Sequence, residues 1–127
     1  MSESDLRLRT TGHTPLQRQY LRLKAEMYPA GILFLRVGDF YEVLFEDAME
    51  VSRVTGNAVT RLNGVLMCGV HRMKLDNALA EMVRAGFNVG IGEEMEWVTA
   101  TGIPQPIPRG ALIRREVTRV IVAGNNE

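Results

Sequence analysis

The segment Arg36-Val37-Gly38-Asp39-Phe40-Tyr41-Glu42 gathers the residue types best able to do chemistry in this chain. Two aromatic rings and two carboxylates stand together where an apolar run gives way to a predicted helix. Gly38 lets the backbone turn sharply and approach another surface closely. The rings have two readings. Most aromatics are packed, which would make Phe40 and Tyr41 core residues at a helix start. An exposed ring offered to a partner is the other reading. Asp39 reads as the cap of the helix, Glu42 as a first-turn acid favoured by the helix dipole, and Tyr41 as inward-facing.

Other groupings point to little chemistry. Cys68 and His71 are three apart and His13 is remote, which is not a metal-ligand pattern. Asp39, Glu93 and Glu94 could suit a metal-dependent nuclease, but no lysine follows either glutamate closely. Gly90-x-Gly92 lacks the remaining glycine of a dinucleotide fingerprint and reads as a strand end. No Gly-x-x-x-x-Gly-Lys-[Ser/Thr] string occurs, so no ATPase is expected in these residues. The expectation is a binding protein rather than an enzyme, with no metal and no cofactor.

Elements must position that segment, and the chain is long enough for one domain with one core, at 127 residues. Residues 1–13 are polar and aperiodic and read as a flexible arm, with Arg7 and Arg9 as conceivable phosphate contacts. Residues 14–127 read as the domain. Thr14-Pro15 is a helix start, followed by Leu16, Tyr20, Leu23 and Met27 at helical spacing and stopped by Pro29 and Gly31. Ile32 to Leu35 reads as a buried central strand. A second helix is expected after Gly38-Asp39, with Leu44, Ala48 and Val51 on one stripe. Asn63-Gly64 between Ala58–Arg61 and Val65–Cys68 predicts a hairpin. Leu75, Ala78, Leu79, Met82 and Val83 form a helical stripe closed by Gly86. Phe87–Gly92 and Arg114–Val122 complete the strands, with a Pro- and Gly-rich loop from Trp97 to Gly110 between them. The order α-β-α-β-β-α-β-β implies an α/β fold, a mixed β-sheet flanked by helices.

The strings Gln19-Tyr20-Leu21-Arg22-Leu23-Lys24-Ala25, Leu33 to Glu42, Phe45-Glu46-Asp47-Ala48, Val59-Thr60-Arg61 and Met67-Cys68-Gly69-Val70 closely resemble the opening of bacterial MutS proteins. The resemblance extends through Leu75–Val83, Val89–Glu94 and Arg115–Gly124. It implies the fold of the MutS N-terminal, mismatch-recognition domain. It also implies roles for two residues. The aromatic of the family's Phe-x-Glu motif wedges beside a mispaired base and the carboxylate hydrogen-bonds to that base. The matching positions are Phe40 and Glu42. Arg36, Arg61, Arg72 and Lys74 are candidate phosphate contacts, each equally readable as a solvated surface charge. Two departures stand out. The Asn63-Gly64 loop is short, and Val70-His71-Arg72-Met73 replaces the family's usual Ile-Pro-Tyr-His-like segment.

The expected partner is double-stranded DNA with mismatches or distortions. Formal net charge is zero, from 15 basic and 15 acidic residues, which argues against a DNA-coating protein. Affinity should be modest and sensitive to salt. Neutral charge also leaves open an interaction module bound to a DNA repair or processing protein, and a homodimer clasping DNA between two copies. A lone Cys68 excludes an internal disulfide, and no apolar span reaches membrane length. A cytoplasmic protein without membrane contact is expected. Met1 and the polar end suggest a natural short protein rather than an excised piece.

Overall fold

A computed structural model describes residues 12–124, so most of the expected arm, with Arg7 and Arg9, lies outside the described residues. The first helix, α1 (Pro15–Glu26), begins as its sequence requires. Thr14 caps it, its hydroxyl accepting from the Gln17 amide at 3.1 Å, while the Gln17 side chain accepts from the Thr14 amide at 3.0 Å. Strand β1 (Ile32–Val37) follows, with Ile32 to Leu35 all buried. Burial on both faces explains the unbroken apolar run. Each such side chain contributes about 1.5–3 kcal/mol when removed from water.

The chain then departs from expectation. No helix starts at Phe40. Gly38-Asp39 is a two-residue reverse turn, and Phe40–Leu44 forms strand β2, antiparallel to β1 with Val37 opposite Phe40. Gly38 has φ +63°, the left-handed value wanted at the first central position of the hairpin turn that matches strand twist. Two periods compete in this stretch. Ala48 and Val51 do belong to a helical stripe, on α2 (Asp47–Thr55), but residues 40–44 follow the strand period of two. Asp39 is therefore not a helix cap. It sits in the turn, and α2 starts at Glu46 without a side-chain cap bond.

The expected hairpin is present as β3 (Val59–Leu62) and β4 (Val65–His71), its turn carrying positive φ at both Asn63 and Gly64. A short 3-10 turn (Arg72–Lys74) leads into α3 (Leu75–Arg84), which Ala85 and Gly86 close. Strands β5 (Val89–Glu94) and β6 (Arg115–Ile121) complete one six-stranded sheet in the order β3-β4-β2-β1-β5-β6. β1 and β5 are parallel and all other pairs are antiparallel, so the sheet is mixed, as expected.

Strand alternation divides the core. Ile32, Phe34, Tyr41 and Val43 pack with Val51, Leu79 and Met82 beneath α2 and α3. Leu33, Leu35 and Leu44 pack with Tyr20, Leu23 and Met27 of α1 on the other face. The Tyr20 hydroxyl donates to the Leu33 carbonyl at 2.8 Å, satisfying its one polar atom inside that layer.

Glycines permit three close approaches here, at Gly31, Gly90 and Gly92. A Cβ at Gly31 would collide with the Asn88 backbone, whereas one at Gly90 would meet the flexible end of Met27, 2.6 Å from its Cε. Gly31→Ala should therefore cost about 1–3 kcal/mol and lower Tm by roughly 4–10 °C. Gly90→Ala should cost less, because Met27 can change rotamer. Thermal melts of the two variants followed by circular dichroism check the order; equal losses would contradict it.

Candidate nucleic-acid interface

Phe40 and Glu42 lie on the α1 face of β2, because residues two apart on a strand share a side. Their Cα atoms are separated by about 7 Å at the usual strand rise. Phe40 opens the strand beyond the reach of α1 and is 47% exposed. Its ring meets His71 edge-on, centroids 5.2 Å apart, across the β2–β4 register. Below it lies Gly69, where a Cβ would sit 3.8 Å from the Phe40 ring. The ring is thus braced by His71 and Gly69 and left about half exposed. Tyr41 turns to the opposite face and is buried, its hydroxyl donating to Glu93 at 2.7 Å.

The turn that presents Phe40 is held from several sides. The Gly38 amide donates to Glu94 at 3.0 Å, and Arg36 donates to the Gly38 carbonyl. The Asp39 carbonyl accepts from the Arg72 amide at 2.9 Å, and the Asp39 carboxylate pairs with the Arg72 guanidinium at 3.5 Å. The 3-10 turn after β4 therefore docks beside the Phe40 end of the sheet. It carries Met73, 72% exposed, between Arg72 and Lys74.

The four candidate cations do not form one patch. Arg72 and Lys74 stand at the Phe40 end. Arg36 is at the same end but on the opposite face, stacked 5.4 Å over the Tyr41 ring and 4.0 Å from Glu93. Arg61 pairs with Leu66, five positions along β4 from His71, so it lies about 17 Å away at the strand rise. Its side chain donates to the Gly64 carbonyl at 3.3 Å.

Glu42 is half-buried, and its Oε1 is buried without a hydrogen-bond partner among the described residues. Burial pushes its carboxyl above the usual carboxylate range, while the positive charge of Arg115 pulls the other way. Arg115 is the residue that sequence reasoning missed. It is 5% exposed on β6. Its guanidinium donates to the Arg36 carbonyl at 2.6 Å, to Gln19 at 2.9 Å and to the Ile113 carbonyl at 3.2 Å, and pairs with Glu94 at 3.3 Å. One side chain so joins α1, β1, β5 and β6. Nothing in Arg114-Arg115-Glu116 marks it as buried; a strand-period reading alone could have placed it inward. His71 was also passed over, although Gly69 inside a strand is a usual sign of close approach by a neighbour.

Among the described residues, no cluster of His, Cys, Asp and Glu has the makings of a metal site, and no helix is long and apolar enough to cross a membrane. The arrangement offers an exposed ring, a poorly solvated carboxylate and nearby cations, which suits binding.

The family model for MutS domain I matches residues 14–127. The chain belongs to this family. The DNA mismatch repair protein MutS of Thermotoga petrophila is 44% identical over 112 residues, 88% of this chain and 13% of the relative. Its namesake in Staphylococcus epidermidis is 39% identical over 116 residues, covering 87% and 12%. The chain thus spans about one-eighth of the length of these curated relatives. The MutS likeness read from the Gly-Asp-Phe-Tyr-Glu string is confirmed, and the mixed α/β sheet agrees with it.

The Glu42 carboxyl yields a pH prediction. A raised folded value means that stability is fully present below the unfolded carboxylate range and declines as pH rises through the folded value. Glu42→Gln should therefore raise Tm by about 2–5 °C at pH 8 and by little at pH 4. Melts at both pH values check this; a lower Tm for the variant at pH 8 would show that pairing with Arg115 outweighs desolvation.

Proposed function

We propose that this MutS domain I chain is a non-enzymatic module that binds mismatched or otherwise distorted duplex DNA. Phe40 enters the base stack and Glu42 hydrogen-bonds to the disturbed base. The observation that carries this reading is the exposed, braced ring of Phe40 beside a tightly hydrogen-bonded turn, two residues along the strand from a half-buried carboxylate. Family membership and relatives named for DNA mismatch repair support it.

The physics is consistent. Separating a base step costs a few kcal/mol, less where pairing is already lost. An inserted ring recovers part of that through stacking, about 1–3 kcal/mol per base. Glu42 repels phosphate, which penalises undistorted DNA, and it accepts a base N–H where one becomes available. On this reading Arg72 and Lys74 touch the backbone near the wedge, Arg36 contacts it at the same end, and Arg61 reaches a different stretch of it. The module acts by binding, and no ATP-binding string lies in its residues.

A second reading is an interaction module that docks onto a DNA repair or processing protein. It is favoured by zero formal charge and by exposed apolar side chains on the 97–110 loop, Val98, Ile103 and Ile107. A pull-down from its host that survives nuclease treatment would support it.

Fluorescence anisotropy at low salt separates the two. The DNA reading expects a G·T duplex to bind more tightly than the matched one. Phe40→Ala should weaken the G·T complex about tenfold and leave the matched complex within about twofold. Equal affinity of the parent chain for both duplexes would overturn the mismatch reading.

A further inference from the structure

The sheet order ends at β6, and the outer edge of that strand is open. Among the described residues, β6 makes no backbone hydrogen bond except to β5. It has seven residues, against four in β3 at the other edge. An unpaired strand of this length is a template for another strand. Which groups it offers follows from its neighbours. The Ile32 amide donates to the Asn88 carbonyl at 2.9 Å, so by strand alternation Gly90 and Gly92 bond β1, while Val89, Ile91 and Glu93 bond β6. Their partners Ile121, Arg119 and Glu116 are thereby used, and the backbone groups of Val117 and Val120 face outward.

A bulge interrupts this edge. Ile91 is opposite Arg119 and Gly92 opposite Val117, which leaves Thr118 over. The odd residue puts Glu116 and Arg119 on one face, since their partners Glu93 and Ile91 are two apart on β5. Both side chains are exposed. Arg119 has no ion-pair partner among the described residues, and Glu116 pairs only with Arg114, two residues away, at 2.5 Å. An apolar hollow of about 490 Å³, lined by Leu79, Val83 and Ile121, reaches Arg119 from α3, so a neighbour at this edge would remove apolar surface from water.

We propose that this edge binds the same edge of a second copy of the chain, antiparallel, joining two six-stranded sheets into one. The two-fold axis passes through the bulge and sets Glu116 of each copy against Arg119 of the other. Two features favour a second copy over a strand of another protein. A regular strand is thrown out of register by the bulge, whereas the same bulge run in reverse restores the match of outward group to outward group. Opposite charges also meet twice across the axis. The inference does not rest on the DNA reading. It does set a geometry. Phe40 lies at the Arg115 end of β6, because β1 runs toward the Gly38-Asp39 turn parallel to β5. The two-fold reverses β6, so the two Phe40 rings stand at opposite ends of the joined sheet and do not clasp one duplex between them.

The test is sedimentation equilibrium of the full chain without DNA, from about 5 to 500 μM, because a joined edge of this small size should have a dissociation constant of about 10–100 μM. Arg119→Glu or Glu116→Arg sets like charges against each other twice and should weaken the dimer about tenfold. The double variant Glu116→Arg/Arg119→Glu restores both pairs and should return to within about threefold of the parent. Circular dichroism melts confirm that each variant folds. A parent chain that stays monomeric throughout overturns the proposal and leaves the edge to a strand of another protein. A dimer indifferent to the single changes, or a double variant no tighter than the singles, overturns it as well.

Discussion

The turn at Gly38-Asp39 joins β1 to β2 with Val37 opposite Phe40, and the strand period of two then assigns every β2 side chain to a face. Phe40, Glu42 and Leu44 share the α1 side, while Tyr41 and Val43 enter the core under α2 and α3. A slip of one residue would exchange these sets, burying the Phe40 ring and turning Tyr41 outward. The turn is therefore the constraint on which the candidate interface depends. It is held by Glu94 on the Gly38 amide, by Arg36 on the Gly38 carbonyl, and by Arg72 on Asp39. A ring fixed to a central strand loses little freedom on insertion, which favours a wedge over a ring carried by a loose loop.

Arg115 supplies the second constraint. A guanidinium buried without partners would be strongly unfavourable, but this one is matched by Glu94, Gln19 and two carbonyls. These bonds tie the end of β1 to α1 and to the β5–β6 edge, behind the turn that carries Phe40. Its charge also reaches Glu42 and partly offsets the burial of that carboxyl. The same residue thus stiffens the platform and tempers Glu42, two residues along the strand from Phe40. Glu94 is shared between the guanidinium and the Gly38 amide, which links the two constraints directly.

Much of this was legible in residue patterns, and the failures have physical causes. The Thr14-Pro15 start, the Asn63-Gly64 hairpin and the α3 stripe are local signals, each settled within a few residues, and each is present. The stretch from Phe40 to Val51 failed because two elements of opposite period adjoin with no Gly or Pro between them; Phe45, at φ +65°, makes the break instead. A non-glycine residue in that conformation leaves no compositional trace. Phe40 and Glu42 could be singled out from the Phe-x-Glu string, but not their setting. His71, Gly69 and Arg115 reach them through sheet order, which joins residues up to 75 positions from Phe40, as in Arg115. Non-local pairing of that kind is invisible to any window short enough to show periodicity.

The distribution of cations explains why a chain of zero net charge can still discriminate on the proposed reading. At the Phe40 end, Arg36 is shared with Tyr41 and Glu93, and Arg72 with Asp39. Each is partly neutralised, and Arg61 lies at the far end of β4. Few phosphates can be neutralised at once, so the sequence-independent part of the binding free energy is small. A strongly basic surface would add the same free energy to matched and distorted DNA, since phosphates are present in both. With that common contribution small, the difference made by opening a weakened stack forms a larger share of the total. Low affinity and useful selectivity then follow from one surface, and a partner that adds phosphate contacts would raise the first while leaving the energetic difference at Phe40 unchanged.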